Sequence, residues 1–377
     1  MRSWLWSAFG LALMVAYWTG ISGVATTPRW DVAALLSVVL FVSPRGTMTR
    51  THKIGLALIG WLAITLLWSA GAGRLDGVNE LFQLMLIAIA FSVAAIDCDA
   101  DALLVGAAVG IGLNSAVAIA QWYGWRLGDE IIDVPSGLFF NPARMGAAAA
   151  MVIAGLLFGN RRAWLIPLCL PALILSHSIA AGLAVCAAVF VLPERGSRSG
   201  WTVRGVMVVV AGAAVACKYG VAATDERLLI WSATINQLDW LGHGLGSYRE
   251  GIFAHASVYD VLKYGTRPEH PHNEWLWLAY EGGVVVVCLA VAFAVWTWRA
   301  AIDSPYRGVL AAVFVLGLVA MPLHDPATAI LAALLAGHCV GGHARDGERA
   351  VERRAAVLAR MVAAAREGKC APVAAGA

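Results

Sequence analysis

Long apolar stretches, separated by short polar clusters, recur from one end of the chain to the other. Many approach the roughly 17–25 residues that a helix needs to cross a bilayer. Taken in order they give twelve candidate spans: 4–24, 30–43, 54–71, 78–96, 102–122, 143–159, 163–177, 178–193, 204–221, 272–298, 307–323 and 325–341. The second, seventh, eighth and twelfth are short or poorly separated, so ten or eleven spans also fit. The period-two alternation of a transmembrane strand is absent, which argues against a barrel. The pattern predicts an all-α, polytopic integral membrane protein with about 12 transmembrane helices and one large periplasmic loop. Met1–Val24 has the charge-then-apolar order of a signal peptide. Its length and its lack of a clear small-residue cleavage site favour a first span instead.

Composition agrees with this reading. The chain is 60% hydrophobic and 14% charged, against about 45–50% and 25% in soluble domains. Its mean hydropathy is +0.73. The placement of charge sets an orientation. With the N-terminus in the cytoplasm, 18 Lys and Arg residues fall on the cytoplasmic side and 9 on the other, the bias expected of an inner-membrane protein. Both termini are then cytoplasmic. Residues 1–342 form a transmembrane domain, and 343–377 form a basic tail. That tail carries a rough apolar stripe, Val351, Val357, Leu358, Met361 and Val362. It reads either as a helix lying on anionic lipid or as a solvated helical tail that anchors topology. The acidic loop Asp97–Asp101 runs against the charge pattern, but acids weigh little in it. The 7 cysteines include no CxxC, and no two share an extracytoplasmic loop. Neither a disulfide nor a metal cluster is expected, and no nucleic-acid partner.

Two extracytoplasmic loops, 123–142 and 222–271, are longer than turns. The second is polar, histidine-bearing and rich in Trp, Tyr and Leu, so it is expected to be ordered and functional. Its end, Arg267-Pro-Glu-His-Pro-His-Asn-Glu274, is the densest polar constellation. His270 and His272 are separated by a rigid Pro271 with no third ligand near in sequence, which disfavours a metal. A neutral imidazole acting as general base fits better. An interfacial His and Trp belt that only fixes helix depth fits too. Glu281 lies about 13 Å further along a helix of ~1.5 Å rise, out of reach of His272. It serves either a substrate or packing at Gly282-Gly283. The loop opens with Glu226-Arg227 and Trp231, followed by Gly242-His243-Gly244-Leu-Gly246. Those glycines suit a turn whose backbone approaches a ligand. Arg227 can clamp a phosphate in bidentate fashion or pair with Glu226 at the surface. Gly137–Gly146, with Asn141 and Arg144, and Met321–Pro326 put further polar groups at helix ends. Asn141 before Pro142 is also a sound helix cap.

In their order these residues resemble the O-antigen ligase family, the superfamily of O-antigen ligases, O-antigen polymerases and pilin O-oligosaccharyltransferases. The resemblance rests on Gly-x-Phe-x-Asn-Pro (137–142), Arg-x-x-x-Trp (227–231), Gly-His-Gly-x-Gly (242–246), His272-Asn273 before a span, Glu281-x-Gly283, and Asp325-Pro326 before the last span. It is clearest over about residues 130–340. It implies transfer of a glycan from an undecaprenyl pyrophosphate carrier to an acceptor hydroxyl on the periplasmic face of the inner membrane, with no metal or other cofactor. The acceptor would be a lipid A core sugar, another glycan or a protein. Carried over, His272 is the base and Arg227 the pyrophosphate clamp. Arg267, Arg144, Asn141, His243, Asn273 and Glu281 join as substrate-binding residues. One departure stands out. The family's Ser-x-Ser-Arg reads Ser176-His177-Ser178-Ile179 here, so Arg144, Arg267 or His177 would have to supply the missing charge. A ligase or a polymerase is the first expectation. A twelve-span transporter predicts mid-membrane charges and an internal repeat, neither of which is evident. A non-catalytic scaffold of glycan export remains the third reading.

Overall fold

The computed structural model describes residues 2–15, 49–69, 73–125, 134–139, 141–158, 162–191, 222–255 and 270–366. The expected spans 30–43 and 204–221 lie outside these residues, as do Arg267 and the rest of segment 256–269 of the loop that carries it.

The described residues are helical, without strands. In chain order the helices are α1 (Arg2–Val15), α2 (Arg50–Thr65), α3 (Gly73–Ile96), α4 (Ala100–Trp122), α5 (Pro142–Phe158), α6 (Ile166–Leu175), α7 (Ile179–Phe190), α8 (Ala222–Asn236), α9 (Tyr248–His255), α10 (Glu274–Ala300), α11 (Arg307–Val319) and α12 (Pro326–Arg366). Four segments are long and apolar enough to cross a membrane: Gly73–Ile96, Ala100–Trp122, Glu274–Ala300 and Pro326–Gly347. Large apolar side chains such as Phe82, Met85, Ile174 and Phe314 face outward from the helices. An outward apolar surface on a helical bundle is what lipid solvation permits and water does not. The chain is therefore a membrane protein.

Small residues let the helices approach closely. α1 lies along α4, α3 along α12, α7 along α11, and α2 along α10. A Cβ on Gly106 would fall 1.8 Å from the Ser7 carbonyl oxygen, and one on Gly341 would fall 1.9 Å from that of Ala95. Membrane helices gain stability from such backbone-to-backbone packing, because lipid tails supply no hydrophobic drive between them.

The bundle has two ends. At one, the acidic Asp97–Asp101 loop gathers basic and polar partners. Arg345 Nη1 donates to the Ala95 carbonyl at 3.0 Å, Tyr306 Oη donates to Asp101 at 2.7 Å, and the Arg162 and Asp101 side chains lie 4.0 Å apart. The loop that ran against the charge pattern is thus a docking point for the arginines around it. The opposite end holds the starts of α3, α5, α10 and α12 and the ends of α2 and α11, and it carries the site.

Two boundaries differ from expectation. α12 runs 41 residues without a break at Gly342, so final span and tail are one helix of about 60 Å at ~1.5 Å per residue. α3 begins at Gly73 rather than 78, which puts Glu80 two turns inside the helix instead of at its mouth.

Gly341→Leu should force α12 off α3 at a cost of about 1–3 kcal/mol. Thermal unfolding in detergent reads this as a lowered midpoint. Gly60→Leu should leave the midpoint unchanged, since a Cβ there meets nothing within 4 Å.

Candidate functional site

α10 is not one continuous helix. Gly283 has φ 68° and ψ −167°, a backbone conformation open essentially to glycine alone. The break strips backbone groups of their helical partners, and an apolar environment makes each of them costly. The 240–246 loop supplies replacements. His243 N donates to the Tyr280 carbonyl at 2.8 Å, Gly244 N donates to that of Glu281 at 2.9 Å, and Val284 N donates to that of Trp240 at 3.0 Å. From α2, the Trp61 indole donates to the Gly282 carbonyl at 2.9 Å. Sequence reasoning assigned the Gly-His-Gly-x-Gly flexibility to a ligand. The structure spends it on protein backbone: a Cβ on Gly242 would sit 2.4 Å from the Glu281 carbonyl oxygen.

Glu281 secures this joint. Its carboxylate oxygens accept from Gly246 N at 2.9 Å and Tyr248 N at 3.0 Å, and the side chain is 1% exposed. Leu245 N donates to Thr65 Oγ1 at 3.1 Å, tying the same loop to the end of α2. The packing role expected of Glu281 is therefore specific: it holds the loop rather than the Gly282-Gly283 pair. The geometry gives Glu281 a positioning role. His243 is likewise engaged with protein. Its Nε2 lies 2.6 Å from the Gln237 carbonyl oxygen and its ring stacks obliquely on Tyr280 at 4.4 Å. Its Nε2 and its ring thus face protein, and the residue is half-buried.

Asn141 and Asn273 prove to be helix caps. Asn141 Oδ1 accepts from Ala143 N at 2.9 Å and Arg144 N at 3.2 Å. Asn273 Oδ1 accepts from Trp275 N at 3.0 Å and Leu276 N at 3.1 Å. Asn273 Nδ2 also donates to the Leu318 carbonyl at 2.9 Å, and Arg227 Nη1 donates to the next carbonyl, that of Val319, at 2.9 Å. One turn beyond Arg227, the Trp231 indole donates to the Pro271 carbonyl at 2.8 Å. Arg227 and His272 are thereby drawn to one locality, where α8, the approach to α10 and the end of α11 meet. His272 is exposed there with φ 53°, a left-handed backbone that costs a non-glycine residue about 1–3 kcal/mol.

Beneath this surface lies a buried set that sequence reasoning mostly missed. His270 and His324 have ring centroids 4.6 Å apart, and Trp277 stands edge-on to His324 at 4.5 Å. His324 Nδ1 is 3.2 Å from Glu274 Oε2, and Leu323 N donates to Glu274 Oε1 at 2.6 Å. Burial opposes a charge on His324, but the Glu274 carboxylate overrides it and raises the imidazole above its usual range. Burial, joined by the charge of His324, pushes His270 down to about 2, so His270 is neutral. Glu80 completes the set. One ligand-capable atom from each of Glu80, His270 and His324 lies within 4.8 Å of the other two. Arg144 acts electrostatically on both histidines and Arg249 on His270. The sequence signals were an acid inside an apolar run, for Glu80, and a histidine before an Asp-Pro cap, for His324. An ionisable residue inside a membrane helix marks a site by default, and the misplaced start of α3 hid that signal.

At the α6–α7 turn, Ser178 Oγ accepts from Ala181 N and so caps α7, while the exposed His177 stacks near Trp122 at 6.4 Å. Gly146 of α5 packs directly on Ser176 and Ser178, which sets the first turn of α5, with Arg144, beside this turn.

No family model matches this chain, and no curated protein matches it.

Glu281→Ala should orphan two buried amides at about 1–3 kcal/mol each. Hydrogen exchange should then speed up at Gly246 and Tyr248 while the ends of α4 and α5 stay protected.

Proposed function

We propose that this chain is a glycosyltransferase of the inner membrane, O-antigen ligase-like, with about twelve spans, both termini in the cytoplasm and its site on the periplasmic face. It moves a glycan from undecaprenyl pyrophosphate to an acceptor hydroxyl. The observation that carries the reading is the meeting of Arg227 and His272 through the Val319 and Pro271 carbonyls. The same two residues were picked out by the ordered motifs.

The chemistry asks little of the protein. The bond between the anomeric carbon and the diphosphate oxygen breaks, and its electron pair leaves with the diphosphate. The acceptor oxygen forms the new bond and loses its proton. Arg227 directs one N–H to Val319, and other N–H groups of its five-donor fork suit diphosphate oxygens. The exposed imidazole of His272 takes the proton. Its left-handed backbone suits a residue held for function, since such strain gathers at working sites. Arg144, beside the Ser176–Ser178 turn, stands in for the arginine that Ile179 replaces, and its charge already reaches His270 and His324.

His272→Gly is the clean test, because glycine keeps the left-handed backbone without strain. Surface glycan should fall at least about 10²-fold, the usual worth of a positioned base, with protein level and thermal midpoint unchanged. Arg227→Lys should lose more than a charge-conserving change normally does, because bidentate geometry goes. Full glycan in folded His272→Gly would point to a scaffold or transporter. Among lipid-linked products that accumulate, long polymers mean a ligase and single repeats a polymerase.

A further inference from the structure

We propose that Glu80, His270 and His324 form a binding site for one divalent transition-metal cation of the zinc class. The resemblance implies a metal-free transfer, so this goes beyond it, and it stands or falls without that reading.

The three side chains arrive from α3, from the approach to α10 and from the α11–α12 turn, segments far apart in the chain. Yet one donor atom of each lies within 4.8 Å of the others, a span that small side-chain shifts close to the separation tetrahedral ligands at about 2.0–2.2 Å require. Packing alone does not account for them. Among the described residues, Glu80 Oε2 and His270 Nδ1 are shut off from solvent and have no hydrogen-bond partner, and such orphaned atoms ordinarily cost about 1–3 kcal/mol each. A cation satisfies both.

The surrounding groups take the form that metal sites use. The Glu274 carboxylate faces His324 Nδ1 at 3.2 Å, which leaves Nε2 as that ring's free nitrogen. A carboxylate behind a ligating histidine orients the ring and fixes its tautomer. The Glu281 carboxyl shares a hydrogen bond with that of Glu80, which needs one proton between them, and Glu281 is in turn anchored by two backbone amides. Three acids, Glu80, Glu274 and Glu281, stand against two arginines, Arg144 and Arg249, so these acids outnumber these bases by one. Two imidazoles and one carboxylate suit zinc or its neighbours, whereas magnesium and calcium prefer oxygen throughout. Three protein ligands leave a fourth position open for water or an oxyanion.

The full-length chain, purified without a polyhistidine tag, stripped with chelator and dialysed against zinc, should hold about one zinc per chain by elemental mass spectrometry. Glu80→Gln and His270→Gln should hold almost none, with stripped-form thermal midpoints like that of the parent. No retained zinc in the parent overturns the proposal. So does undiminished zinc in a folded His270→Gln. If those variants fail to fold, X-ray absorption of the zinc-loaded parent decides. Two imidazole nitrogens and a carboxylate oxygen support the site; a shell with sulfur or fewer than two imidazoles refutes it.

Discussion

The break in α10 at Gly283 is the constraint from which the site is built. A membrane helix that gives up its own hydrogen bonds must find others nearby. Here they come from a loop that enters the gap, with the Glu281 carboxylate gripping the loop's next two amides. That one joint fixes α8, α9 and the 240–246 loop against the bundle. α8 then carries Arg227 and Trp231 to the ends of α10 and α11, where His272 and Asn273 already stand. Without the break there is no seat for the loop, and Arg227 and Trp231 would hold α8 at the site only through the Val319 and Pro271 carbonyls.

This arrangement explains which parts of the chain could be read in advance. Helix positions were legible because an apolar run of sufficient length has few alternatives in lipid. The caps at Asn141 and Asn273 were legible because a side-chain oxygen next to a helix start has a local use. The glycines of 242–246 were visible but misassigned: their need for close approach is local, whereas what they approach is set forty residues away at Glu281–Gly283. Glu80 and His324 escaped for the same reason. Each is unremarkable beside its own neighbours, and only the fold places them with His270. The start of α3 made matters worse, since five residues of polar character at 73–77 look like loop and are helix.

The two layers of the site differ in kind. The upper layer, Arg227 and His272, borders the surface, where His272 is exposed. The lower layer, Glu80, His270, Glu274, Glu281 and His324, is enclosed and cross-linked by short contacts among acids and imidazoles. This layer lies against the upper one through Pro271 and the turn after α11. Arg144 belongs to both, reaching the histidines from the first turn of α5 beside the Ser176–Ser178 turn. The transferase reading uses the upper layer for chemistry and the lower one to hold it in register.

The direct test is reconstitution. The purified chain in lipid nanodiscs, given an undecaprenyl-pyrophosphate-linked glycan and a hydroxyl acceptor, is followed for release of undecaprenyl pyrophosphate. Release should accompany appearance of the glycosylated acceptor, mole for mole, and should vanish with His272→Gly and with Arg227→Ala. Absence of release by the intact chain, or release that both variants sustain, would contradict the account.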